Sequence, residues 1–545
     1  MVARAYSRKW FDRLMLALIV VVATIVWGVS FTSADSLEHS LNRQAITVLL
    51  MGSFTAFIFF YAKQMAQGKV SDFFVHHQWW LVGLFSICYA VLMSTINLLK
   101  HNAFETHAFD LAIFDQAIWS TLNGKFLFSS FKNNICLLGD HMSPALILFA
   151  PFYWLWNDSA VLLVAEALVT ASCFFLVALI AQEKLGKGIF PVFFAFALFF
   201  YQPLRRSVHA DFHPELLANP VLFAAFYFLM KEKLKLFFLS LFILVTCKEN
   251  MYGASFMLGV YLIILKKHVR LGLFVAVASL VLFFLATRWI MPHLAGAERY
   301  FYQANYNYLW TGTWGAHPPL FVHPFDLLEY LWKIFLPLGF LSFFHPPTLL
   351  LTFPILFQNI LSRNSSMHSI SYQYTSGLTP FVFISAIYGT GVFLSRFEGK
   401  FRNRPVRTYL LMVLIALTLA SAGRPEREYF LNYKSKLNEH KRMVRKIVHQ
   451  IPSNFSIVVN ETLAPHASHR FQIRQFEDFQ RMPVQKTYSL DSDLVILDRE
   501  LTQGGLKHEV EKVQASGYRI LYKFDGFFIL RRPDVDATRA LPQES

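Results

Sequence analysis

The chain has 545 residues, 55% of them hydrophobic and only 16% charged, with 58 Phe, 22 Tyr and 11 Trp and a net charge of +15. Ordinary soluble chains carry about 25% charged residues, so this composition excludes a typical water-soluble enzyme, and four Cys in this length exclude a disulfide scaffold. The basic residues sit in short clusters between apolar runs, not along one face with aromatic platforms, which argues for orienting loop charges and against nucleic acid.

The charge is unevenly spread. From Ser421 onward 20 basic and 16 acidic residues occupy 125 positions, about 29% charged, whereas the first 420 positions are about 12% charged. A long apolar body with a soluble tail follows.

A spanning helix needs about 20 mostly apolar residues. The candidate runs are 13–31, 44–62, 79–98, 142–156, 160–182, 188–204, 214–230, 235–247, 250–265, 271–289, 328–344, 348–361, 378–395 and 407–421, giving 13 or 14 spans. The first follows Arg4, Arg8, Lys9 and Arg13 and is read as an uncleaved anchor rather than a signal peptide. Loop charge then places the N-terminus inside, the loop 99–141 outside, the Tyr-rich stretch 290–327 outside, and the tail outside. Parity between residue 141 and Lys184…Lys187 leaves 142–156 as a re-entrant or partial span. The expected organisation is N-terminal spans in 1–98, a membrane core in 99–421, and an extracytoplasmic α/β domain in 422–545.

Within the first outside loop, His107-Ala-Phe-Asp110-Leu-Ala-Ile-Phe-Asp115-Gln116-Ala-Ile-Trp119 reads as an amphipathic helix lying on the membrane surface. At about 100° per residue, Asp110 shares a face with Ile113, Phe114 and Ala117, and Asp115 points elsewhere. Asp110 is then either an N-cap or a carboxylate in use on an apolar face; Asp115 is solvated or structural. Gly139-Asp140-His141 precedes Ser143-Pro144, so Asp140 is a cap or, with His141, a polar pair able to ligate a metal or handle a proton.

Arg205-Arg206-Ser-Val-His209-Ala-Asp211-Phe-His213-Pro214-Glu215 packs more chemistry between two apolar runs than a connector needs. Its spacing suggests ligands at His209, Asp211, His213 and Glu215 without matching a strict zinc signature. Candidate metal residues are therefore Asp140, His141, His213 and Glu215, with a divalent cation left open. Cys247-Lys248-Glu249-Asn250 interrupts two apolar runs: Lys248 either snorkels to the interface or neutralises a phosphate, with Glu249 pairing with it or holding a cation. Aromatics from Tyr300 to Trp314 read as an interfacial belt, with a sugar-binding floor as the alternative. Gln373-Tyr374 precedes the next span.

The tail is expected to fold as helix Lys434–Gln450, strand Phe455–Val459, a helical Glu461–Arg470, strand Leu494–Leu497, helix Leu506–Ser516, and a hairpin of Tyr518–Tyr522 with Phe527–Leu530 around Phe524-Asp525-Gly526. It carries no Gly-rich phosphate fingerprint.

These motifs in this order, Phe109-Asp110 through Trp119, Leu138-Gly139-Asp140-His141 with Pro144 and Ala150-Pro151-Phe-Tyr153, Phe212-His213-Pro214-Glu215, Lys248-Glu249, Gln373-Tyr374, and in the tail Asn460-Glu461 through His466 and Ser468-His469-Arg470, resemble a family of prokaryotic polytopic membrane proteins defined by a domain of unknown function. That family is grouped with the GT-C-like membrane glycosyltransferases. The resemblance implies a GT-C-like fold in the cytoplasmic membrane, a donor sugar on a polyprenyl phosphate, and an acidic residue of the first outside loop at the reacting centre, which by position is Asp110. Asp140, His141, His213, Glu215, Lys248, Glu249, Gln373 and Tyr374 are then expected to bind substrate. Membrane lipids and a lipid-linked sugar are the expected partners. The alternatives are a transporter or flippase of lipid-linked or polar substrates, and a non-catalytic envelope assembly protein.

Overall fold

The computed structural model describes residues 69–265, 268–311, 324–400, 406–476, 492–501 and 506–535. The expected spans 13–31 and 44–62, and Trp314, lie outside the described residues.

Four described helices are long and apolar enough to cross a membrane: Asp72–Asn102, Ala160–Leu185, Val269–Ala295 and Leu378–Glu398. The other apolar runs form shorter helices, including Ile189–Phe200, Leu234–Cys247, Met251–Ile264 and Val406–Ala420. Local breakers account for the shortening. Run 328–344 yields helix Pro324–Phe335 and two short 3₁₀ turns, because Pro337 lacks an N–H to donate and Gly339 and Phe340 are left-handed. Run 142–156 folds as the 3₁₀ helix Pro144–Trp154. At about 2 Å per residue it reaches only some 22 Å, short of a bilayer core.

Helix packing is tight where small residues allow it. A Cβ on Gly259 would lie 2.6 Å from the Gly272 carbonyl, so the hairpin of Met251–Ile264 with Val269–Leu285 closes only with glycine at both positions. The outer face of the second helix exposes Leu273, Phe274, Val277, Val281 and Phe284, as a lipid-facing surface does. Inside, Phe174, Phe194, Phe223, Phe226 and Phe381 sit in one continuous apolar core.

Among the described residues the tail folds as a five-stranded sheet with the helices Glu426–Ser435, Glu439–Gln450 and Leu506–Ala515. Its strands are numbered after the two-stranded ribbon of the loop 99–141, β1 (Phe128–Ser129) with β2 (Ile135–Cys136). They are β3 (Ile457–Val459), β4 (Ile473–Gln475), β5 (Leu494–Asp498), β6 (Arg519–Phe524) and β7 (Phe527–Arg531), in the order β4-β3-β5-β7-β6. β3 pairs in parallel with β4 and β5, whereas β7 is antiparallel to both β5 and β6. The expected hairpin is present, with Asp525 and Gly526 both at positive φ as a two-residue turn requires. The expected helix Lys434–Gln450 is instead Glu426–Ser435 and Glu439–Gln450, because Asn438 breaks it and caps the second part, accepting from the Lys441 amide at 2.8 Å. Of Glu461–Arg470 only Ala464–His466 is helical, as a 3₁₀ turn around Pro465.

One apolar cluster joins tail and loop: Leu111, Ile113, Phe114 and Ile118 pack with Phe212, Val444, Ile447, Ile457, Leu463, Ile473, Leu494 and Phe527. The helix Ile113–Leu122 is therefore not a surface helix on the membrane. Ile113 through Ile118 are all buried, Asp115 and Gln116 included, because the tail covers the side that sequence left polar.

Candidate functional site

The loop carrying Asp110 departs from regular α geometry. Ala108–Ala112 forms a π-helical turn that precedes the α-helix Ile113–Leu122. The wider turn rotates Asp110 away from the buried face of Ile113, Phe114 and Ala117, and its side chain caps neither segment. Asp110 ends up 39% exposed, against 10% for Asp140, 6% for Glu249, 2% for Glu215 and 1% for Asp211. Among these acids it is the most exposed.

Its partner is His213, whose Nε2 lies 3.2 Å from Asp110 Oδ1. The ring is held by its own surroundings: Nδ1 is 3.3 Å from the Asp211 carbonyl oxygen, and the His213 amide donates to Glu166 Oε1 at 2.8 Å. Both ring nitrogens face oxygen acceptors, a geometry that suits the imidazolium. Burial opposes the charge, but the bond to Asp110 and its charge outweigh it, and the His213 pKa is raised above the ordinary 6.5. Stabilisation by the pair is thus fully present below about pH 6.5 and is lost as pH rises through the raised value. Thermal melting of the solubilised protein from about pH 5.5 to 8.5 is expected to show a fall on alkalinisation that shrinks in Asp110→Asn. An equal fall in that variant would assign the step to another group.

Asp211 sits at φ +70°, a strained left-handed position for a non-glycine residue. It is held there by Lys100, whose Nζ is 2.5 Å from Oδ1, and by the amide and Nδ1 of His107 at 2.9 and 3.1 Å from Oδ2. Burial alone would raise its pKa, but Lys100 and His107 bring it down to about 2. One ligand atom from each of His107, Asp110 and Asp211 falls within 4.8 Å of the others. This donor set does not suit a divalent cation, since Lys100 and His107 already engage both Asp211 oxygens and His213 engages Asp110. The four metal candidates are not gathered around one point either: His213 faces Asp110, Glu215 faces Lys248, Asp140 faces Lys132, and His141 lies 3.6 Å from Asp140 and 3.9 Å from Glu249.

The turn between Leu234–Cys247 and Met251–Ile264 supplies Lys248 and Glu249. Lys248 Nζ is 2.5 Å from Glu215 Oε2, both buried. Burial pulls the ammonium pKa down, yet Glu215 and Glu249 overcome it and the net shift is upward. Glu249 accepts from the Met142 amide at 3.0 Å and from the Tyr300 hydroxyl at 2.9 Å. Against the upward pull of burial, His141 and Lys248 hold its pKa at about 2.

Asp140 pairs with Lys132 at 2.9 Å, and His141 stacks on Tyr302 with centroids 5.3 Å apart. Burial of Asp140 is again outweighed, here by His141 and Lys132, and its pKa falls below the ordinary carboxylate value. A Cβ on Gly139 would lie 2.7 Å from the Ala295 amide nitrogen, so glycine lets this loop seat against the end of helix Met291–Ala295. Tyr300 and Tyr302 turn inward to these acids rather than forming a belt.

Gln373 is buried in the 3₁₀ turn Gln373–Thr375. Tyr374 sits where the charges of Lys248, Glu215 and Asp110 all act on it. Those same charges reach His213, and Glu249 and Asp140 both act on Tyr302. The separated motifs thus converge in one electrostatically connected region.

Other motif residues serve the scaffold. Arg205 and His209 both bind Glu426 of the tail, at 2.6 and 2.7 Å. Asp115 accepts from Tyr153 at 2.6 Å, from Ser468, and from His469 at 3.2 Å, latching the tail to the loop. A cavity of about 360 Å³ beside this latch is lined by Trp119, Asp158, His449, His466 and His469, and none of the predicted site residues reaches it.

Sequence reading passed over Glu166, Lys100 and Lys132. Glu166 carried a signal, a lone acid within an apolar run. The others had none, since a Lys at a helix end or in a loop is ordinary.

A family profile described as a predicted membrane protein (DUF2079) matches residues 100–529. No curated protein matches. Among solved structures, ArnT from Cupriavidus metallidurans bound to undecaprenyl phosphate is similar with a TM-score of 0.46 at 9% identity, covering 86% of this chain and 100% of that one. The apo state of ArnT from the same organism is similar with a TM-score of 0.43 at 11% identity, covering 80% and 94%.

Proposed function

The chain belongs to the DUF2079 family of predicted membrane proteins, and from that footing we propose that it transfers a sugar from a polyprenyl-phosphate carrier at the extracytoplasmic face of the prokaryotic cytoplasmic membrane. The observation that carries the reading is Asp110: an accessible carboxylate, fixed through Oδ1 by a buried histidine, with no hydrogen bond to Oδ2 among the described residues. The motif resemblance to GT-C-like transferases supports the same assignment.

In this mechanism the acceptor hydroxyl docks on Asp110 Oδ2, which takes its proton as the oxygen attacks the anomeric carbon from the face opposite the carrier. The anomeric C–O bond to the carrier breaks, and the electron pair leaves on the polyprenyl phosphate. The product is a glycoside of inverted configuration. His213 keeps the carboxylate aimed. Buried pairs such as Asp211–Lys100 and Glu215–Lys248 hold the surrounding walls in register.

The test uses the purified full chain in lipid nanodiscs with a panel of polyprenyl-phosphate sugars and hydroxyl acceptors. Glycoside formation with release of polyprenyl phosphate is expected for at least one pair. Movement of the lipid-linked sugar across vesicles without any glycoside would replace the transferase by a transporter.

A further inference from the structure

One guanidinium near this region has no acid to pair with. Arg363 Nε and Nη2 are both shielded from solvent and make no hydrogen bond. No carboxylate of the described residues lies within ion-pair distance of it. Its one close electrostatic neighbour is the ring of Tyr308, 5.0 Å from the guanidinium carbon. Tyr308 is itself fixed, donating its hydroxyl to the Leu361 carbonyl at 2.7 Å. The Arg363 amide donates to the Asn305 carbonyl at 3.2 Å, so backbone and ring hold the side chain where it is.

Two buried N–H groups left without acceptors are costly, and the ring of Tyr308 offsets only part of that cost. Other site cations have partners: Lys248 is held by Glu215, Lys100 by Asp211 and Lys132 by Asp140. Arg363 alone among these four offers an unengaged planar fork, the geometry that matches two oxygens of a phosphate. Its location fits that use. The next residue, Asn364, lies close to Tyr374, on which the charges of Lys248, Glu215 and Asp110 also act. Tyr306 of the same aromatic loop lies alongside, donating to the Gln358 carbonyl at 3.0 Å.

We propose that Arg363, backed by the ring of Tyr308, is a phosphate-binding residue that holds the phosphate of the carrier lipid beside the Asp110 region. This rests on the transferase reading for its ligand, but the anion site itself stands on the unpaired guanidinium. The phosphate of a polyprenyl carrier, a free phosphate and a phospholipid head group share the chemistry the fork recognises, so the experiment separates them.

Binding of a polyprenyl monophosphate, of inorganic pyrophosphate and of phosphatidylglycerol is measured on the purified full chain in nanodiscs for wild type, Arg363→Gln, Arg363→Lys and Arg407→Gln. Arg407, exposed and paired with Glu398, controls for loss of charge alone. Arg363→Gln is expected to weaken polyprenyl-phosphate binding by about tenfold to a hundredfold, the usual worth of hydrogen bonds to a charged group. Arg363→Lys should lie between, keeping charge without the fork, and Arg407→Gln should match wild type.

Equal affinity in wild type and Arg363→Gln, with only a lower melting temperature, would make Arg363 a structural cation–π residue and overturn the proposal while leaving the transferase intact. If Arg363→Gln does not fold, unchanged affinity in Arg363→Lys overturns it equally. Arg363-dependent binding of pyrophosphate, with no polyprenyl-phosphate binding in wild type, would keep the anion site and sink the carrier-lipid reading. Arg363-dependent binding of phosphatidylglycerol alone would make it a head-group anchor and overturn the proposal, as would binding of no probe at all.

Discussion

Asp110→Asn is expected to lower sugar transfer by about 10²- to 10⁴-fold, the usual worth of a general base, and to leave carrier-lipid affinity within about twofold. The asymmetry follows from the geometry. Asn keeps the size of the side chain and still offers an oxygen to His213, so the loop stays as it is. It cannot take a proton from the acceptor, and the carrier's phosphate is held elsewhere. The informative measurement is single-turnover transfer alongside carrier binding in the same preparation. Transfer at the wild-type rate would remove Asp110 from the chemistry. Loss of carrier binding in step with transfer would make it a binding group instead.

The second large effect concerns stability. Lys248→Met leaves Glu215 buried without its counter-charge, and Glu215→Gln leaves Lys248 dependent on Glu249 alone. Breaking a buried ion pair from one side costs about 3–5 kcal/mol, because the remaining charge is desolvated and unpaired. Each single variant is therefore expected to unfold at markedly lower temperature or denaturant, read by thermal melting of the solubilised protein. Replacing both by Met should recover most of the loss, since no charge is then stranded. The double-mutant cycle gives the coupling between them. Single variants as stable as wild type would mean that water or another group already reaches the pair. The Glu215–Lys248 bond joins the 3₁₀ turn Pro214–Leu217 to the turn after Leu234–Cys247. A loss here should also misplace His213, two residues before Glu215, and slow transfer for a reason distinct from the Asp110 effect.

Local pattern was enough for several features. The length and spacing of apolar runs marked a polytopic membrane protein, because a bilayer imposes its thickness on the chain directly. Asp525-Gly526 marked the β6–β7 hairpin, since few residue pairs accept two successive positive φ values. The apolar run Leu494–Leu497 marked β5 as a strand; its burial on both faces, with residues of its two sides in different apolar clusters, came from the structure. By contrast β4, Ile473-Arg474-Gln475, is three residues long with no alternation to read, and it forms only because β3 offers a free edge.

Partnership of charges was beyond local reading. Whether Asp115 is solvated or structural turned on Ser468 and His469, more than 350 residues away in sequence. Asp211 takes Lys100 from 111 residues earlier, His213 takes Asp110 from 103 earlier, and Lys248 takes Glu215 from across a helical hairpin. Periodicity reports which face of an element is buried, but a buried charge is neutralised by whatever the packing of other elements brings within about 3 Å. The exposure of Asp110 was decided in the same way: a regular helix would have turned it onto the apolar face, and the π turn at Ala108–Ala112, seated against the tail's Ala464–His466 turn, leaves it open instead. Sequence by itself determined that several acids, several histidines and Lys248 lie at breaks between apolar segments. Only tertiary structure decided which of them cancel each other and which stay accessible, like Asp110, or unpaired, like the guanidinium of Arg363, because charge compensation in a low-dielectric interior is a property of three-dimensional proximity.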